Sequence, residues 1–230
     1  MQLFPGGPVI TRKTEDLIDA LVLDLRPCSA ACLDRRLVFG AGLAGLAATF
    51  CVVVWLAARP DLAQAVESAT FWSKAAYTSV LAASGAWLLM RLGRPGQSAV
   101  APALALAVVL LIAGLTATGE LIRTPPQERL QVLMGGSASV CPGYIFGLAG
   151  IGAMALIAPA RRYAPTRPRL AGAAFGLMAG GIAGTAYGVH CPEWSAAFVV
   201  AWYSLGIALA SLVGWLAGRR LFWGLGFPKG

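Results

Sequence analysis

The chain has 230 residues, of which 58% are hydrophobic and 12% are charged, and its formal net charge is +8. A soluble domain averages about a quarter charged residues, so this composition argues against a soluble globular protein. The positive charges lie in short clusters between apolar runs, which is typical of membrane orientation signals and not of a contiguous DNA-binding face. The sequence therefore predicts an all-α, polytopic membrane protein with no direct contact to nucleic acid.

The first 36 residues carry ten charges and no long apolar stretch, so they predict a cytoplasmic N-terminal segment and no cleavable signal peptide. Within them, residues 14–26 predict a short amphipathic helix that Pro27 ends. Its apolar face consists of Leu17, Ile18, Leu21, Val22 and Leu25, and its acidic face carries Asp16 and Asp19.

A helix of this length is marginal alone in water, so its apolar face must be buried somewhere. Membrane-surface helices favour Lys and Arg on the polar face, and this polar face is mainly acidic. Packing on the ends of the membrane spans and docking on a partner protein both remain open.

Six apolar segments follow, each near the roughly 20 residues needed to cross a bilayer. They cover residues 37–58, 71–90, 99–118, 143–160, 170–189 and 195–217. They predict a six-helix transmembrane domain over residues 37–218 and a cytoplasmic tail over residues 219–230. Lys74 lies near one end of the second segment, where its side chain is expected to snorkel to the lipid headgroups.

The basic residues predict the orientation of this domain. If the N-terminus is cytoplasmic, 14 of the 18 Lys and Arg residues fall on the inner side, as the positive-inside rule requires. The expected location is a bacterial inner membrane, with both termini in the cytoplasm.

The fifth segment has glycines at every fourth position. They are Gly172, Gly176, Gly180, Gly184 and Gly188. Small residues at this spacing let helix backbones approach closely, so the segment is predicted to be a tightly packed interior helix. Because the same face would serve a dimer, the oligomeric state stays open.

Two Cys-Pro pairs precede the fourth and sixth segments, and the topology places both at the outer face. Cys141 and Cys191 are thus predicted to begin two helices, where a thiol becomes more reactive. His190, the single histidine, adjoins Cys191. A structural disulfide, a sensing thiol pair and a metal site with Cys141, Cys191 and His190 as ligands are all open. The metal site is less favoured because structural zinc takes four ligands. No resident cofactor is expected, apart from a transient heavy-metal ion at the two cysteines.

Three stretches, TEDLIDALVLDLRP, RLQVLMGGSASVCPGYIFGLAG and YGVHCPEWSAAFVVAWYSLGIALA, together with the six-span layout, resemble the NrsF family of negative regulators of sigma F. The resemblance implies a membrane-bound anti-sigma factor that holds an extracytoplasmic-function sigma factor and releases it under heavy-metal or oxidative stress. It also implies that Cys141 and Cys191 are the sensing cysteines and that the N-terminal segment contributes to sigma binding.

Other function classes fit less well. The sequence has no P-loop, HExxH, GxSxG or thioredoxin-like CxxC motif, so no enzyme activity is expected. A small-solute or metal-ion transporter would need polar groups along a path through the membrane. A membrane thiol oxidoreductase would need an outer CxxC pair, and a purely structural subunit would behave normally without residues 1–36.

Overall fold

The computed structural model describes Asp16, Leu17, Asp19 and residues 30–223. The chain divides into two compact units, Met1–Cys32 and Leu33–Gly230. In the first unit, Asp16, Leu17 and Asp19 are helical and exposed. Ile18, Leu21, Val22 and Leu25 lie outside the described residues, so the amphipathic N-terminal helix stays a prediction.

The described part of the second unit is built from helices and connections, without a strand. Within residues 30–223, six helices have 20 or more residues: α1 (Ala30–Cys51), α2 (Ala69–Leu92), α3 (Val100–Arg123), α4 (Cys141–Ala160), α5 (Pro168–Tyr187) and α6 (Ser204–Trp223). A π-helical segment, Val52–Leu56, continues α1, and a short helix (Ala196–Phe198) and a π-helical segment (Val199–Tyr203) lead into α6.

Five helices in the described part of the chain are long and apolar enough to cross a membrane. They are Ala31–Leu56, Val100–Arg123, Cys141–Ala160, Pro168–Tyr187 and Ala196–Trp223. These helices fit a membrane protein, and the all-helical fold class is confirmed. The second predicted span corresponds to α2, which is long enough at 24 residues but is not among the five. The first helix begins before Leu37, and the last extends beyond Ala217.

Helix α5 lies at the centre of the bundle, with 72% of its most apolar stretch buried, whereas α3 lies at the edge with 17% buried. The glycines of α5 explain its central position. A Cβ added at Gly172 or Gly176 would overlap backbone atoms of α6, and one added at Gly181 would lie 2.5 Å from the Ala82 nitrogen of α2. Small residues therefore bring α5 into backbone contact with two neighbours.

The remaining glycines of the predicted face are packed less closely. An added Cβ at Gly180 would lie 3.0 Å from Ile207 Cα, and one at Gly184 would lie 3.1 Å from Thr78 Cγ2. Gly188 follows the last residue of α5 and caps it, and the nearest atom to a Cβ there would be the Thr185 oxygen of its own turn.

The two ends of the bundle differ in composition. The first, called the thiol end below, is formed by the connections 57–68, 124–140 and 188–195. The second, called the basic end, holds Arg35 and Arg36 with the connections 93–99 and 161–167. Backbone hydrogen bonds join connections at each end, from Arg59 N to Val189 O (3.2 Å) and from Ala164 N to Gly93 O (3.3 Å).

Candidate functional site

Cys141 and Cys191 meet inside the thiol end. Both are 0% exposed, neither forms a disulfide, and their thiol groups lie within hydrogen-bonding distance of each other. Cys141 is the first residue of α4, as the sequence predicts. The two sulfurs, 50 positions apart in the sequence, therefore form one buried pair.

The prediction that Cys191-Pro192 begins the sixth helix is wrong. Cys191 lies in the connection that follows α5, where its nitrogen donates to the Tyr187 oxygen (3.1 Å). The next helix begins at Ala196 because Ser195 caps it, its hydroxyl accepting a hydrogen bond from Phe198 N (3.2 Å). Ser is a strongly preferred N-cap.

Lys74 is turned into the protein and does not snorkel towards the headgroups. Its Nζ donates to the carbonyl oxygens of Cys191 (3.0 Å) and Glu193 (3.1 Å), and the residue is 5% exposed. The connection after α5 has carbonyl groups outside any helix, and these offer acceptors that a buried ammonium needs. Lys74 thereby fixes the backbone of the segment that carries the Cys191 thiol.

Arg59, in the connection after α1, contacts the segment that carries Cys191. Its guanidinium pairs with both carboxylate oxygens of Asp61 (2.7 and 2.6 Å), reaches the Cys191 carbonyl oxygen at 3.5 Å and lies 4.5 Å above the Trp194 ring. The hydrogen bonds of this pair raise the pKa of Arg59 and lower the pKa of Asp61. Arg59 is thus a satisfied cation that joins two connections.

Two carboxylates bind backbone groups around the thiols. Glu193 Oε1 accepts hydrogen bonds from Gly136 N (2.8 Å) and Ser137 Oγ (3.1 Å). Glu120 Oε2 accepts from Ala197 N (2.7 Å) and Ser195 Oγ (3.0 Å). These bonds attach two separate parts of the chain, the connection before α4 and the end of α3, to the segment that carries Cys191.

His190 is not placed as a third metal ligand beside the two cysteines. Its Nδ1 donates to the Ala57 oxygen (2.8 Å), and its ring centre lies 5.7 Å from that of Tyr187. In the part of the chain that the structure describes, no group of three or more His, Cys, Asp or Glu side chains could hold a metal ion. The predicted set of Cys141, Cys191 and His190 is therefore not assembled.

The environment of Cys191 favours a thiolate. The hydrogen bond from Cys141 lowers the pKa of Cys191 to about 5, with the charge of Lys74 acting in the same direction and burial acting against it. Tyr203, 0% exposed, turns its hydroxyl towards this sulfur and lowers the pKa of Cys191 further. Because the thiolate is the reactive form of cysteine, Cys191 is suited to nucleophilic attack.

The sequence predicts the two cysteines as a site but does not predict how Lys74, Arg59, Glu193 and Tyr203 contact the segment that carries Cys191. One signal pointed to Lys74, since an ionisable residue inside an apolar segment marks a functional position by default. Nothing in the sequence indicated that Glu193 reaches the connection before α4.

The sequence is similar to known proteins along most of its length. A family model described as the negative regulator of sigma F, NrsF, matches residues 21–223. The chain belongs to the NrsF family. The anti-sigma-F factor NrsF of Caulobacter vibrioides (strain NA1000 / CB15N) is 43% identical over 211 residues, which cover 91% of this chain and 98% of the relative. The probable anti-sigma-F factor NrsF of Azospira oryzae (strain ATCC BAA-33 / DSM 13638 / PS) is 35% identical over 209 residues, with the same coverage of 91% and 98%. No solved structure matches the chain.

Membership of the NrsF family confirms the resemblance found in the sequence. Both relatives are named for a regulatory role, so the prediction that the chain is not an enzyme is confirmed as well. The thiol pair and all the residues that surround it lie within the part of the chain that the NrsF model matches.

Proposed function

We propose that the chain is a membrane-embedded anti-sigma factor that sequesters an extracytoplasmic-function sigma factor on its cytoplasmic side. It releases the sigma factor when Cys141 and Cys191 react with an oxidant or a thiol-binding heavy-metal ion. The observation that carries this function is a buried, unbridged thiol pair in a chain of the NrsF family.

The proposal requires six membrane crossings, with the thiol end at the outer face. A helix of 24 residues is about 36 Å long at 1.5 Å per residue, so α2 is long enough to be the sixth span. Its two ends support this role: Lys74 contacts the thiol end, and Arg94, just after α2, donates to Asp34 at the basic end. With six spans, the excess of basic residues puts both termini in the cytoplasm of a bacterial inner membrane.

The N-terminal segment is the proposed sigma-binding element. Leu17 is 59% exposed and belongs to the separate unit Met1–Cys32, so an apolar face there is suited to docking in a groove. Ile18, Leu21, Val22 and Leu25 would extend that face. Asp16 and Asp19 would contact basic residues, which a nucleic-acid-binding partner presents.

Oxidation of the pair changes the charge inside the thiol end. A thiolate and a thiol lose two electrons and one proton when they form a disulfide, and a peroxide that accepts them, with a second proton from solvent, becomes two molecules of water. The product no longer carries the thiolate that Cys191 presents to Lys74. Release of the sigma factor then requires two arrangements of the bundle with different sigma affinity, biased by the state of the thiols.

The test uses the full chain in lipid nanodiscs with the sigma factor that co-purifies with it. Peroxide or cadmium should weaken sigma binding at least tenfold in the wild type, and Cys141→Ser or Cys191→Ser should abolish this response. Cys51→Ser, a change of a half-buried cysteine within α1, is the matched control and should respond normally. Loss of sigma binding in the two serine variants to the same extent as in the wild type would contradict the proposal.

A second experiment tests the binding element. The chain is purified from its host with and without residues 1–36, and co-purifying proteins are identified. A sigma factor is expected with the intact chain alone, and its retention by the truncated chain would place the binding site elsewhere.

A further inference from the structure

The buried Nζ of Lys74 has no carboxylate oxygen within 4 Å in the part of the chain that the structure describes. Among residues 30–223, the two ion pairs within 4 Å join Arg59 to Asp61 and Arg94 to Asp34. The Nζ of Lys74 has two carbonyl oxygens as acceptors and the face of the Tyr203 ring at 5.7 Å from its centre. Neutral acceptors alone compensate a buried charge poorly, so an anion is expected close to it.

Cys191 is the group that can supply this anion. The Nζ of Lys74 donates a hydrogen bond to the carbonyl oxygen of Cys191, so the ammonium lies beside that residue. Arg59 also reaches this carbonyl oxygen, at 3.5 Å, but its own charge is balanced by Asp61. Lys74 is therefore the cation beside Cys191 that has no carboxylate within 4 Å among residues 30–223.

The other polar groups at this end do not replace Lys74. Those that face the pair or its surroundings are Glu120 of α3, Cys141 and Tyr144 of α4, Tyr187 and His190 at the end of α5, Glu193 of the connection and Tyr203 before α6. Glu120 and Glu193 are engaged with backbone nitrogens. His190 is engaged with Ala57.

We propose that Lys74 is the positioning residue of the thiol pair: its buried ammonium holds the Cys191–Glu193 backbone and provides the counter-charge that makes Cys191 the sulfur that reacts first. This inference rests on the proposed function, because it names the residue that prepares the sensing thiols. The pKa of Cys191 is lowered mainly by the hydrogen bond from Cys141, and the charge of Lys74 acts in the same direction.

The order of events in oxidation by a peroxide follows. The Cys191 thiolate attacks one peroxide oxygen, the O–O bond breaks, and Cys191 becomes a sulfenic acid while the second oxygen leaves as water after taking up a proton. Cys141 then attacks the Cys191 sulfur, the S–S bond forms, and the sulfenic oxygen leaves as a second molecule of water with the proton of the Cys141 thiol. Lys74 loses the counter-charge of the Cys191 thiolate in the first step.

The direct test is the infrared S–H stretching band of the reduced full chain in nanodiscs, which reports protonated thiols without chemical modification. Near neutral pH, the wild type and Cys191→Ser should give the same S–H intensity, since Cys191 carries no proton. Lys74→Met should gain intensity equal to one thiol, and Lys74→Arg, which keeps the charge, should not. If the wild type shows more S–H intensity than Cys191→Ser by the amount of one thiol, the proposal is overturned, whatever the Lys74 variants show.

The second readout is the rate at which peroxide joins Cys141 to Cys191, followed by mass spectrometry. An ordinary cysteine is only a few per cent thiolate near neutral pH, so Lys74→Met should slow this reaction roughly tenfold, and Lys74→Arg should restore most of the rate. Arg129→Met is the matched control, because Arg129 is an exposed cation of the same end that bonds to Thr124 and Ile122; it should react like the wild type.

These outcomes are separable from those of the proposed function, since neither readout involves a sigma factor. An unchanged rate in Lys74→Met, or an equally slow rate in Lys74→Arg, overturns the role of the Lys74 charge even if sigma release by the wild type is normal. Conversely, a slow Lys74→Met variant supports it even if the wild type releases no sigma factor.

Discussion

The two ends of the bundle are held together by different means. Towards the basic end, α5 and α6 meet backbone to backbone, because Gly172 of α5 lies against Gly214 of α6 with no room for a Cβ. Towards the thiol end, the corresponding contacts at Gly180 and Gly184 are made with Cα and side-chain atoms at 3.0 and 3.1 Å. The packing of α5 against α6 is thus tighter towards the basic end, whereas the connections of the thiol end are joined by hydrogen bonds and charges that a chemical reaction can change.

Backbone irregularity follows the same division. Both π-helical segments, Val52–Leu56 and Val199–Tyr203, border the thiol end, and such segments occur frequently at functional sites. Ala57 adds a φ of +63°, a conformation that costs a non-glycine residue energy and persists only where the surroundings impose it. Strain therefore accumulates at the end where the sulfur chemistry is proposed.

The polar contacts of the basic end contrast with those around the thiols. Asp34 Oδ1 accepts hydrogen bonds from Arg94 and from the Tyr163 hydroxyl (2.8 Å). Burial and this bond raise the pKa of Tyr163, so the hydroxyl keeps its proton over the whole physiological range. Tyr163 therefore donates this bond at every physiological pH, and the contact of Asp34 with Arg94 and Tyr163 is called the fixed joint below.

The largest expected effect tests the difference in helix packing. Gly214→Ala should destabilise the fold by about 3 kcal/mol, at the upper end of ordinary overpacking, because the new Cβ would overlap the Gly172 oxygen. Gly184→Ala should cost less than about 1 kcal/mol, since it meets a methyl group of Thr78 and gains helix propensity. Thermal unfolding in detergent measures both, and equal costs would mean that the two ends are equally tight.

A second comparison uses the glycines with positive φ, one at each end. Gly135 has a φ of +51° and Gly96 a φ of +79°. Changing either to Ala should lower the free energy of unfolding by about 1–2 kcal/mol through backbone strain alone. Only at Gly135 would the Cβ also lie 2.5 Å from Glu193 Oε2, whereas nothing lies within 4 Å at Gly96. Gly135→Ala should therefore be the more unstable variant and should expose Cys191 to alkylation, and Gly96→Ala should leave alkylation unchanged.

The pH dependence of stability gives a smaller effect with a defined sign. The pKa of Cys191 is about 5 in the folded chain and about 8.5 in an unfolded one. A lowered pKa contributes stability that is fully present above about pH 8.5 and is lost as the pH falls towards about 5. The reduced wild type should lose at least about 1 kcal/mol, or roughly 2–4 °C in Tm, over this window. Cys191→Ser should show a flatter profile, and identical profiles would contradict the thiolate.

The sequence predicts the helices of this molecule better than it predicts the surroundings of the thiols. Apolar runs and small residues depend on neighbours along the chain, so the all-helical class and the close packing of Gly172 and Gly176 follow from local patterns. The direction of Lys74 depends on carbonyl groups 117 and 119 residues away, and no local pattern contains them. Pro192 and Ser195 are both good helix initiators in the sequence, and only the hydrogen bond from Phe198 N to the Ser195 hydroxyl decides between them.

The smallest expected effect concerns the fixed joint at the basic end. Tyr163→Phe removes one hydrogen bond to Asp34 and should cost about 1 kcal/mol, because Arg94 remains as a donor to the same carboxylate oxygen. Thermal unfolding measures this cost, and the rate of disulfide formation between Cys141 and Cys191 should not change. A slower or faster thiol reaction would show that the two ends influence each other in the absence of any signal, and the contrast between a fixed end and a reactive end would then have to be given up.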